Sequence, residues 1–202
     1  MRDLSLHILD VAENSVRAGA TRVEIRLEED PKRDLMRLEI IDNGSGMDEP
    51  MRQAVLSPFT TSRTERRVGL GLPLLAQAAR EAQGDCEIES APGQGTRVAA
   101  TFRPGHIDCK PLGDLGETAV ALAIGHPTVD FQFGIQRGAQ MRRISTRDVR
   151  ETHGNAQECS PEMMRDLRKR LAEILAADPK MAEGAAPPRG EKEPNDACCR
   201  AD

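Results

Sequence analysis

Large aromatic side chains are almost absent from this 202-residue chain, which has no Trp, no Tyr and only four Phe. It also lacks any apolar run near the roughly 20 residues that a helix needs to span a bilayer. The N-terminal segment M-R-D-L-S-L-H-I-L-D has no long apolar core and no cleavage site, unlike a secretory signal. We therefore expect neither a membrane span nor a membrane partner, and we expect a cytoplasmic location.

An excess of positive charge is also missing. Lys and Arg number 28 against 33 Asp and Glu, a formal net charge of −5, whereas general nucleic-acid binders present a basic face to phosphates. We therefore expect no nucleic-acid partner. The five cysteines are odd in number and show no C-x-x-C spacing, which favours reduced thiols over a disulfide framework. With 38% hydrophobic and 30% charged residues, the chain is typical of a globular domain with appendages.

Helical and strand periodicities alternate in the first hundred residues. Apolar residues at steps of three and four predict helices, and strict alternation predicts half-buried strands. The predicted elements are, in chain order, a helix over 3–19, strands over 22–28 and 36–42, a helix over 48–56, a loop over 57–68, a helix over 70–83, and strands over 85–90 and 95–103. This order predicts a mixed domain of helices and strands.

The dipeptide P-G at 104–105 marks a boundary. The residues beyond it, 104–177, are predicted to form a small helix-plus-hairpin appendage with a further helix. Its predicted elements are a helix near 114–124, a hairpin near 129–145 and a helix over 161–177. Residues 178–202 are rich in Pro, Gly, Ala, Glu and Lys and are predicted to be disordered. The predicted domains are thus 1–103, 104–177 and 178–202.

The strongest candidate for chemistry is the segment D-N-G-S-G-M over 42–47, directly after a predicted strand. Asp42 falls on the apolar face of that strand, where an unpaired carboxylate would cost several kcal/mol. An adenine exocyclic amine is a suitable directional donor, and the two glycines would let the backbone approach a base closely. With so few aromatic rings, base recognition would depend on hydrogen bonds and aliphatic contacts. The alternative is a turn capped by the Asp side chain.

A second candidate lies on the first predicted helix. Asp10 and Asn14 are four residues apart and so share a face of that helix. Mg²⁺ prefers oxygen ligands and retains several waters, and Asn14 offers an amide oxygen without adding charge. Asp10 is one turn earlier, where it could hold or deprotonate a water. The alternative is a solvated helix face.

Two glycine-rich turns follow. G-L-G-L over 69–72 opens a predicted helix, whose free N–H groups and positive dipole end favour phosphate. It lacks the Lys-Ser/Thr ending of a Walker A loop and the glycine spacing of a dinucleotide-binding fingerprint. G-Q-G-T over 93–96 precedes the last strand, where Thr96 could assist Asp42 through a water; alone it is a hairpin turn.

Taken in order, these four segments resemble the GHKL superfamily of ATPases over residues 3–103. The segment D-V-A-E-N-S-V-R-A-G-A-T-R-V-E-I over 10–25 resembles the Asn box of mismatch-repair ATPases. F-T-T-S over 59–62, G-L-G-L-P-L-L over 69–75 and I-E-S-A-P-G-Q-G-T-R-V over 88–98 resemble the catalytic domain of histidine kinases. The resemblance implies an α+β fold, a two-layer α/β sandwich of the Bergerat type, that binds ATP with Mg²⁺.

The same resemblance implies roles for single residues. Asn14 is the implied Mg²⁺ ligand and Asp42 the implied adenine reader. Asp10 is the implied catalytic residue, and it stands where the hydrolytic branch has Glu; being one methylene shorter, it predicts slow hydrolysis. Arg17 replaces an acidic residue common in the mismatch-repair version. The other implied nucleotide-binding residues are Asn14 itself, Gly44, Gly46, Met47, Thr60, Thr61, Gly69, Leu70, Gly71 and Thr96.

The resemblance leaves two functions open. One is a phosphotransferase acting in trans, like a histidine kinase catalytic domain, with the phosphoacceptor supplied by a partner protein. We expect this because His7 is more typical of a packed helix residue than of a phosphoacceptor. The other is an ATP-dependent conformational switch with weak ATPase activity, in which residues 104–176 read the nucleotide state. A domain that no longer binds nucleotide is a third alternative, against which Asn14 and Asp42 argue.

The whole layout also resembles a stand-alone ATP-binding protein found beside iron-only hydrogenase and NADH-dehydrogenase-like subunits in anaerobes. That resemblance implies an unidentified protein partner, either a phosphoacceptor or a hydrogenase-type redox complex.

Overall fold

The computed structural model describes residues 3–55, 71–137, 140–154 and 159–176. Within these ranges six strands form one sheet in the order β3-β4-β2-β1-β5-β6. The helices are α1 (Leu4–Arg17), α2 (Glu49–Val55), α3 (Gly71–Glu81), α4 (Leu115–Gly125), α5 (Thr146–Thr152) and α6 (Pro161–Ala176). The strands are β1 (Arg22–Asp30), β2 (Leu35–Asp42), β3 (Cys86–Ala91), β4 (Gly95–Phe102), β5 (Asp130–Arg137) and β6 (Gln140–Ser145).

The core lies between one face of this sheet and the helices. Ile25 of β1 is 1% exposed and stands between Ile40 of β2 and Phe133 of β5. Leu4 and Ile8 of α1 are fully buried against this layer, as are residues of α3 and α4. Burial of one such side chain contributes about 1.5–3 kcal/mol relative to exposure. The apolar alternation of the strands and the apolar stripe of the helices thus meet in a single interface.

The opposite face of the sheet carries charged residues of alternating sign. Arg97 of β4 pairs with Glu39 of β2 and with Glu89 of β3, the latter at 3.0 Å. Arg26 of β1 pairs with Glu24 at 2.7 Å and approaches Glu39 at 3.9 Å. Cross-strand pairs of opposite charge contribute roughly 0.2–1 kcal/mol each. A face of this kind suits solvent, so the fold is a two-layer α/β sandwich, as the sequence predicts.

The predicted stop of α1 is confirmed. Ala18 is the C-cap of the helix, and Gly19 follows with a φ of +79°, a left-handed conformation that favours glycine. The Gly19 N–H donates to the Val16 carbonyl at 2.9 Å, and the Ala20 N–H donates to the Ser15 carbonyl at 3.1 Å. These bonds turn the chain directly from α1 into β1.

Residues beyond Pro104 extend the same sheet. β5 runs parallel to β1, with Val23 opposite Phe131 and Leu27 opposite Ile135. The predicted helix, hairpin and final helix of this part are all present, as α4, β5–β6 and α6. They share the core of the first hundred residues, and the predicted boundary at 103–104 stays a prediction. The predicted loop over 57–68 and the predicted disordered tail over 178–202 lie outside the described residues.

The helix α5 is absent from the sequence-based prediction. It begins directly after β6, and the Ser145 hydroxyl accepts hydrogen bonds from the N–H groups of Arg147 (3.1 Å) and Asp148 (3.3 Å). Ser145 ends the strand and caps the helix at once, so no turn residues separate the two elements.

Candidate functional site

Asp42 is the last residue of β2 and stands between Val23 of β1 and Thr96 of β4. Its Oδ2 accepts a hydrogen bond from the Ser15 hydroxyl at 2.7 Å. Its Oδ1 accepts from the backbone N–H of Gly44 at 2.9 Å and from that of Thr96 at 3.2 Å. A carboxylate has about four acceptor positions. The donors within the described residues therefore leave one position on Oδ2 for a further donor.

The loop after Asp42 is anchored on the connection between α1 and β1. The Asn43 amide oxygen accepts from the N–H groups of Thr21 and Arg22, both at 2.9 Å. The Ser45 N–H donates to the Ala18 carbonyl at 2.8 Å. The Gly44–Asp42 bond is the Asx-type turn that the sequence left open as an alternative, yet it engages only Oδ1. The carboxylate thus caps the turn and also reaches α1.

Glycine is required at Gly46 and Gly95 by close backbone approach. Gly46 has a φ of +67°, and a Cβ there would stand 2.0 Å from the Ala91 carbonyl oxygen. Gly95 has a φ of +78°, and a Cβ there would stand 2.0 Å from the Asp42 carbonyl oxygen. These contacts press the loop after β2 against the β3–β4 turn. The predicted role of Gly44 and Gly46 in letting a base approach stays a prediction.

Ser90 joins the two loops from the β3 side. Its hydroxyl accepts from the Met47 N–H at 2.8 Å and donates to the Gly95 carbonyl at 2.9 Å. The Thr96 hydroxyl lies 3.0 Å from the Ser90 hydroxyl. Thr96 therefore supports Asp42 through its backbone N–H, and its predicted assistance through a water stays a prediction.

Asn14 lies on α1 immediately before Ser15. Its amide oxygen accepts a hydrogen bond from Arg17 Nη1 at 2.7 Å. Its Nδ2 is buried and has no hydrogen-bond partner within the described residues. A buried amide nitrogen without a partner costs about 1–3 kcal/mol. Within the described structure, the oxygen of the Asn14 amide is thus hydrogen-bonded and its nitrogen is not.

Asp10 lies one turn before Asn14 and contacts the start of α3. A Cβ at Gly71 would stand 2.8 Å from the Asp10 Cβ, so glycine permits this approach. Partial burial raises the pKa of Asp10, opposed by the charge of Arg17 and assisted by that of Glu13. A carboxylate with a raised pKa is a better base for a proton at neutral pH than an ordinary one.

The structure brings the predicted residues together in two sets. One surrounds the Asp42 carboxylate and the other lies along α1 and the start of α3. Ser15 connects the sets, because it follows Asn14 in the chain and bonds Asp42. The first set is Asp42, Gly44, Gly46, Met47 and Thr96, and the second is Asp10, Asn14 and Gly71. The predicted residues Thr60, Thr61, Gly69 and Leu70 lie outside the described ranges.

Sequence reasoning missed the roles of Ser15 and Ser90. Ser15 is 3% exposed on the buried face of α1, directly after Val11 and Ala12 on that face. A small hydroxyl in such a position needs a partner, which is the signal that could have identified it. Ser90 stands opposite Thr96 in the β3–β4 pair, and its signal is weaker because exposed hairpins often carry Ser and Thr.

The residues on α1 fit a Mg²⁺ ion. Mg²⁺ is usually held by one or two protein oxygens together with waters and substrate phosphates. Asn14 supplies one such oxygen, and Asp10 and Glu13 lie on the same helix. Within the described residues no three His, Cys, Asp or Glu side chains form a metal cluster. Arg17 occupies the Asn14 oxygen and competes with a cation there.

A family model described as "Histidine kinase-, DNA gyrase B-, and HSP90-like ATPase" matches residues 2–106. The match covers just over half of the 202 residues. The chain belongs to this family of ATPases, which confirms the GHKL resemblance and supports ATP binding by its N-terminal half.

Individual relatives agree with both halves of that resemblance. The signal transduction histidine-protein kinase AtoS of Escherichia coli is 33% identical over 96 residues, 47% of this chain and 15% of its own. The mismatch repair endonuclease pms1 of Dictyostelium discoideum is 43% identical over 63 residues, 31% of this chain and 6% of its own. The chain spans between 6% and 27% of the length of the curated relatives it matches.

A solved structure, the N-terminal domain of a DNA repair protein, has a similar fold. Its TM-score is 0.50 at 15% identity, with 71% of this chain and 52% of that chain covered. This likeness concerns the fold alone.

Among the helices that the structure describes, none is long and apolar enough to cross a membrane.

Proposed function

We propose that the chain binds ATP with Mg²⁺ and transfers its terminal phosphoryl group to a partner protein, as a kinase-like phosphotransferase acting in trans. The observation that carries the proposal is the hydrogen bonding of the Asp42 carboxylate. Three donors from the described residues orient it, these leave one acceptor position on Oδ2, and the donor to that oxygen is Ser15, next to Asn14. The residue that orients the proposed adenine-binding carboxylate and the proposed metal ligand are thus neighbours on one helix.

Each residue has a separate task in this proposal. Asp42 accepts a hydrogen bond from the adenine amine, and Met47 and the glycines beside it shape the base pocket. Asn14 holds Mg²⁺, which when bound would neutralise charge on the phosphates. The glycine-rich segment over 69–71, whose last residue Gly71 begins α3, is assigned to the phosphates by the family resemblance. Thr60 and Thr61 are assigned to the nucleotide by the family resemblance.

Transfer to a partner is favoured over rapid hydrolysis. Asp10 is the base assigned to an attacking water, and its side chain is one methylene shorter than the Glu of the hydrolytic branch. His7 is 1% exposed, so it suits packing and not phosphorylation. The acceptor then comes from a partner protein, and a hydrogenase-type redox complex is the other partner that the sequence resemblance implies.

The experiment is transfer of label from γ-labelled ATP, with the full chain, Mg²⁺ and a lysate of the source organism fractionated by size. We expect label in a protein other than this chain and its loss with Asn14→Ala. The matched control is Gln77→Ala, which removes an exposed amide from α3 and leaves the Asn14 oxygen in place. Label that is absent from every fraction, or unchanged in Asn14→Ala, contradicts the proposal.

A second function, an ATP-dependent switch with weak ATPase activity, is favoured by one contact. His126 Nε2 lies 2.9 Å from Glu13 Oε1. His126 is the C-cap of α4, and Glu13 precedes Asn14. A movement of α1 on nucleotide binding would therefore be transmitted to α4. Hydrogen exchange over 115–137 with and without ATP and Mg²⁺ tests this, and identical protection in both states contradicts it.

A further inference from the structure

The two edge strands of the sheet differ in whether other parts of the chain contact their outward backbone groups. β3 lies beside α2, and Arg52 Nη1 donates to the Ile88 carbonyl of that edge at 3.5 Å. β6 forms the other edge of the sheet, and among the described strands it pairs with β5 alone. In the part of the chain that the structure describes, no hydrogen bond reaches the outward backbone groups of β6. An open strand edge is a template for a further strand.

The side chains along this edge are exposed and basic. Residues 140–143, Q-M-R-R, are exposed, and Met141 is 39% exposed. Arg142 has no carboxylate partner in the described ranges, and Arg143 makes only a long contact of 3.8 Å with Glu24. Arg147, at the start of α5, forms no salt bridge in the described ranges, although its backbone N–H donates to the Asp130 carboxylate at 3.3 Å. This local positive charge stands out in a chain of net charge −5.

The two properties together specify the chemistry of a ligand. A second copy of β6 pairing antiparallel would bring arginines beside arginines, which is unfavourable across strands. A nucleic acid has no row of backbone N–H and C=O groups to match a strand edge, and the net negative charge of the chain opposes it. An extended acidic peptide satisfies the backbone groups and the arginines together.

We propose that β6 is a docking edge for an extended acidic segment of a partner protein, which adds to the sheet as a seventh strand beside Arg142 and Arg143. This goes beyond the proposed function, because the edge lies three strands from β2 and needs no nucleotide. Binding can therefore be measured without ATP, and its failure leaves the ATP site untouched.

The test uses the full chain and a fluorescein-labelled peptide in which pairs of Glu alternate with pairs of Val, so that acidic side chains lie on both faces of the added strand, and binding is followed by anisotropy. Two matched peptides accompany it: one with Lys in place of Glu, and one with alternate backbone nitrogens of the acidic peptide methylated. We expect the acidic peptide to bind at least about tenfold more tightly than either, roughly 1.4 kcal/mol. Equal binding of the methylated peptide overturns the proposal, because attraction would then be by charge without strand pairing.

Variants locate the site. Arg142→Glu combined with Arg143→Glu should weaken the acidic peptide at least about tenfold and favour the lysine peptide. The matched control is Lys32→Glu with Arg33→Glu, an equal change of charge at the exposed turn between β1 and β2. Circular dichroism checks that both proteins are folded. Equal effects of the two pairs, or equal competition by a DNA oligonucleotide, overturn the proposal.

Discussion

Asp42 and Asn14 lie at two ends of one candidate site, and their polar atoms are paired to different degrees. Three donors from α1, the loop after β2 and β4 hold the Asp42 carboxylate. Among the residues that the structure describes, Asn14 has one side-chain partner, Arg17, and its buried amide nitrogen has none. The first arrangement is pre-formed and needs little reorganisation on binding. The second is unsatisfied, so we expect it to rearrange when a cation and phosphates are present.

The largest effect should come from Gly46→Ala, which attacks the rigid end. A Cβ there meets the Ala91 carbonyl oxygen at 2.0 Å in a left-handed conformation. We expect the free energy of unfolding to fall by about 3 kcal/mol or more. Gly93→Ala is the control, since it shares the positive φ but nothing lies within 4 Å, and it should cost about 1 kcal/mol. Equal urea midpoints for the two variants would contradict the close packing.

Ser15→Ala removes the bond that joins the two ends. The Asp42 carboxylate would lose one of three donors, and ATP affinity should fall by about tenfold, in line with a hydrogen bond to a charged group. Ser5→Ala is the control on the same helix, because Ser5 is equally buried but bonds Asp3. An ATP affinity unchanged by Ser15→Ala would show that Asp42 needs no support from α1.

His7 sharpens the comparison, since both of its ring nitrogens are also buried without partners in the described structure. Burial, with Lys110 nearby, lowers the pKa of His7 from 6.5 to about 4. The folded state therefore favours the neutral ring, and this contribution to stability is present above pH 6.5 and is lost as the pH falls towards 4. Urea unfolding at pH 7 and pH 5 should show the loss, and His7→Leu should reduce it. His106→Asn, at a more exposed site, is the control and should lose as much stability between pH 7 and pH 5 as the unmodified chain. A loss in His7→Leu equal to that of the unmodified chain refutes the assignment to His7.

The smallest effect should come from Arg17→Ala, at the unsatisfied end. The substitution frees the Asn14 oxygen and removes a competing positive charge. The Mg²⁺ concentration for half-maximal ATP binding should therefore fall by about two- to fivefold. Arg22→Ala, outside this contact, should leave it unchanged. A higher Mg²⁺ requirement in Arg17→Ala would mean that Arg17 assists the phosphates and does not compete with the metal.

Local patterns account for what the sequence could predict. The alternation through Met36, Leu38 and Ile40 places Asp42 on the buried face, and the four-residue step places Asp10 with Asn14. Each depends on residues close together in the chain. These patterns also predicted the helices and strands of the described ranges, apart from α5.

Contacts between distant residues could not be predicted in this way. Ser15 meets Asp42 across 27 positions, and β1 meets β5 after more than a hundred residues. Nothing in the period of one segment specifies the register of another. The support of Asp42 by a backbone N–H of Thr96, and the addition of the β5–β6 hairpin to the sheet, therefore required the structure.

The most direct test of the account is calorimetry of ATP with Mg²⁺, comparing the unmodified chain with Asp42→Asn. The N–H groups of Gly44 and Thr96 would hold the amide oxygen at the Oδ1 position, which turns the NH₂ group towards the base and sets donor against donor. We predict a loss of at least about 100-fold, roughly 2.7 kcal/mol, while Asp34→Asn, on a distant turn, binds normally. Unchanged affinity in Asp42→Asn would contradict the assignment of Asp42 as the adenine reader.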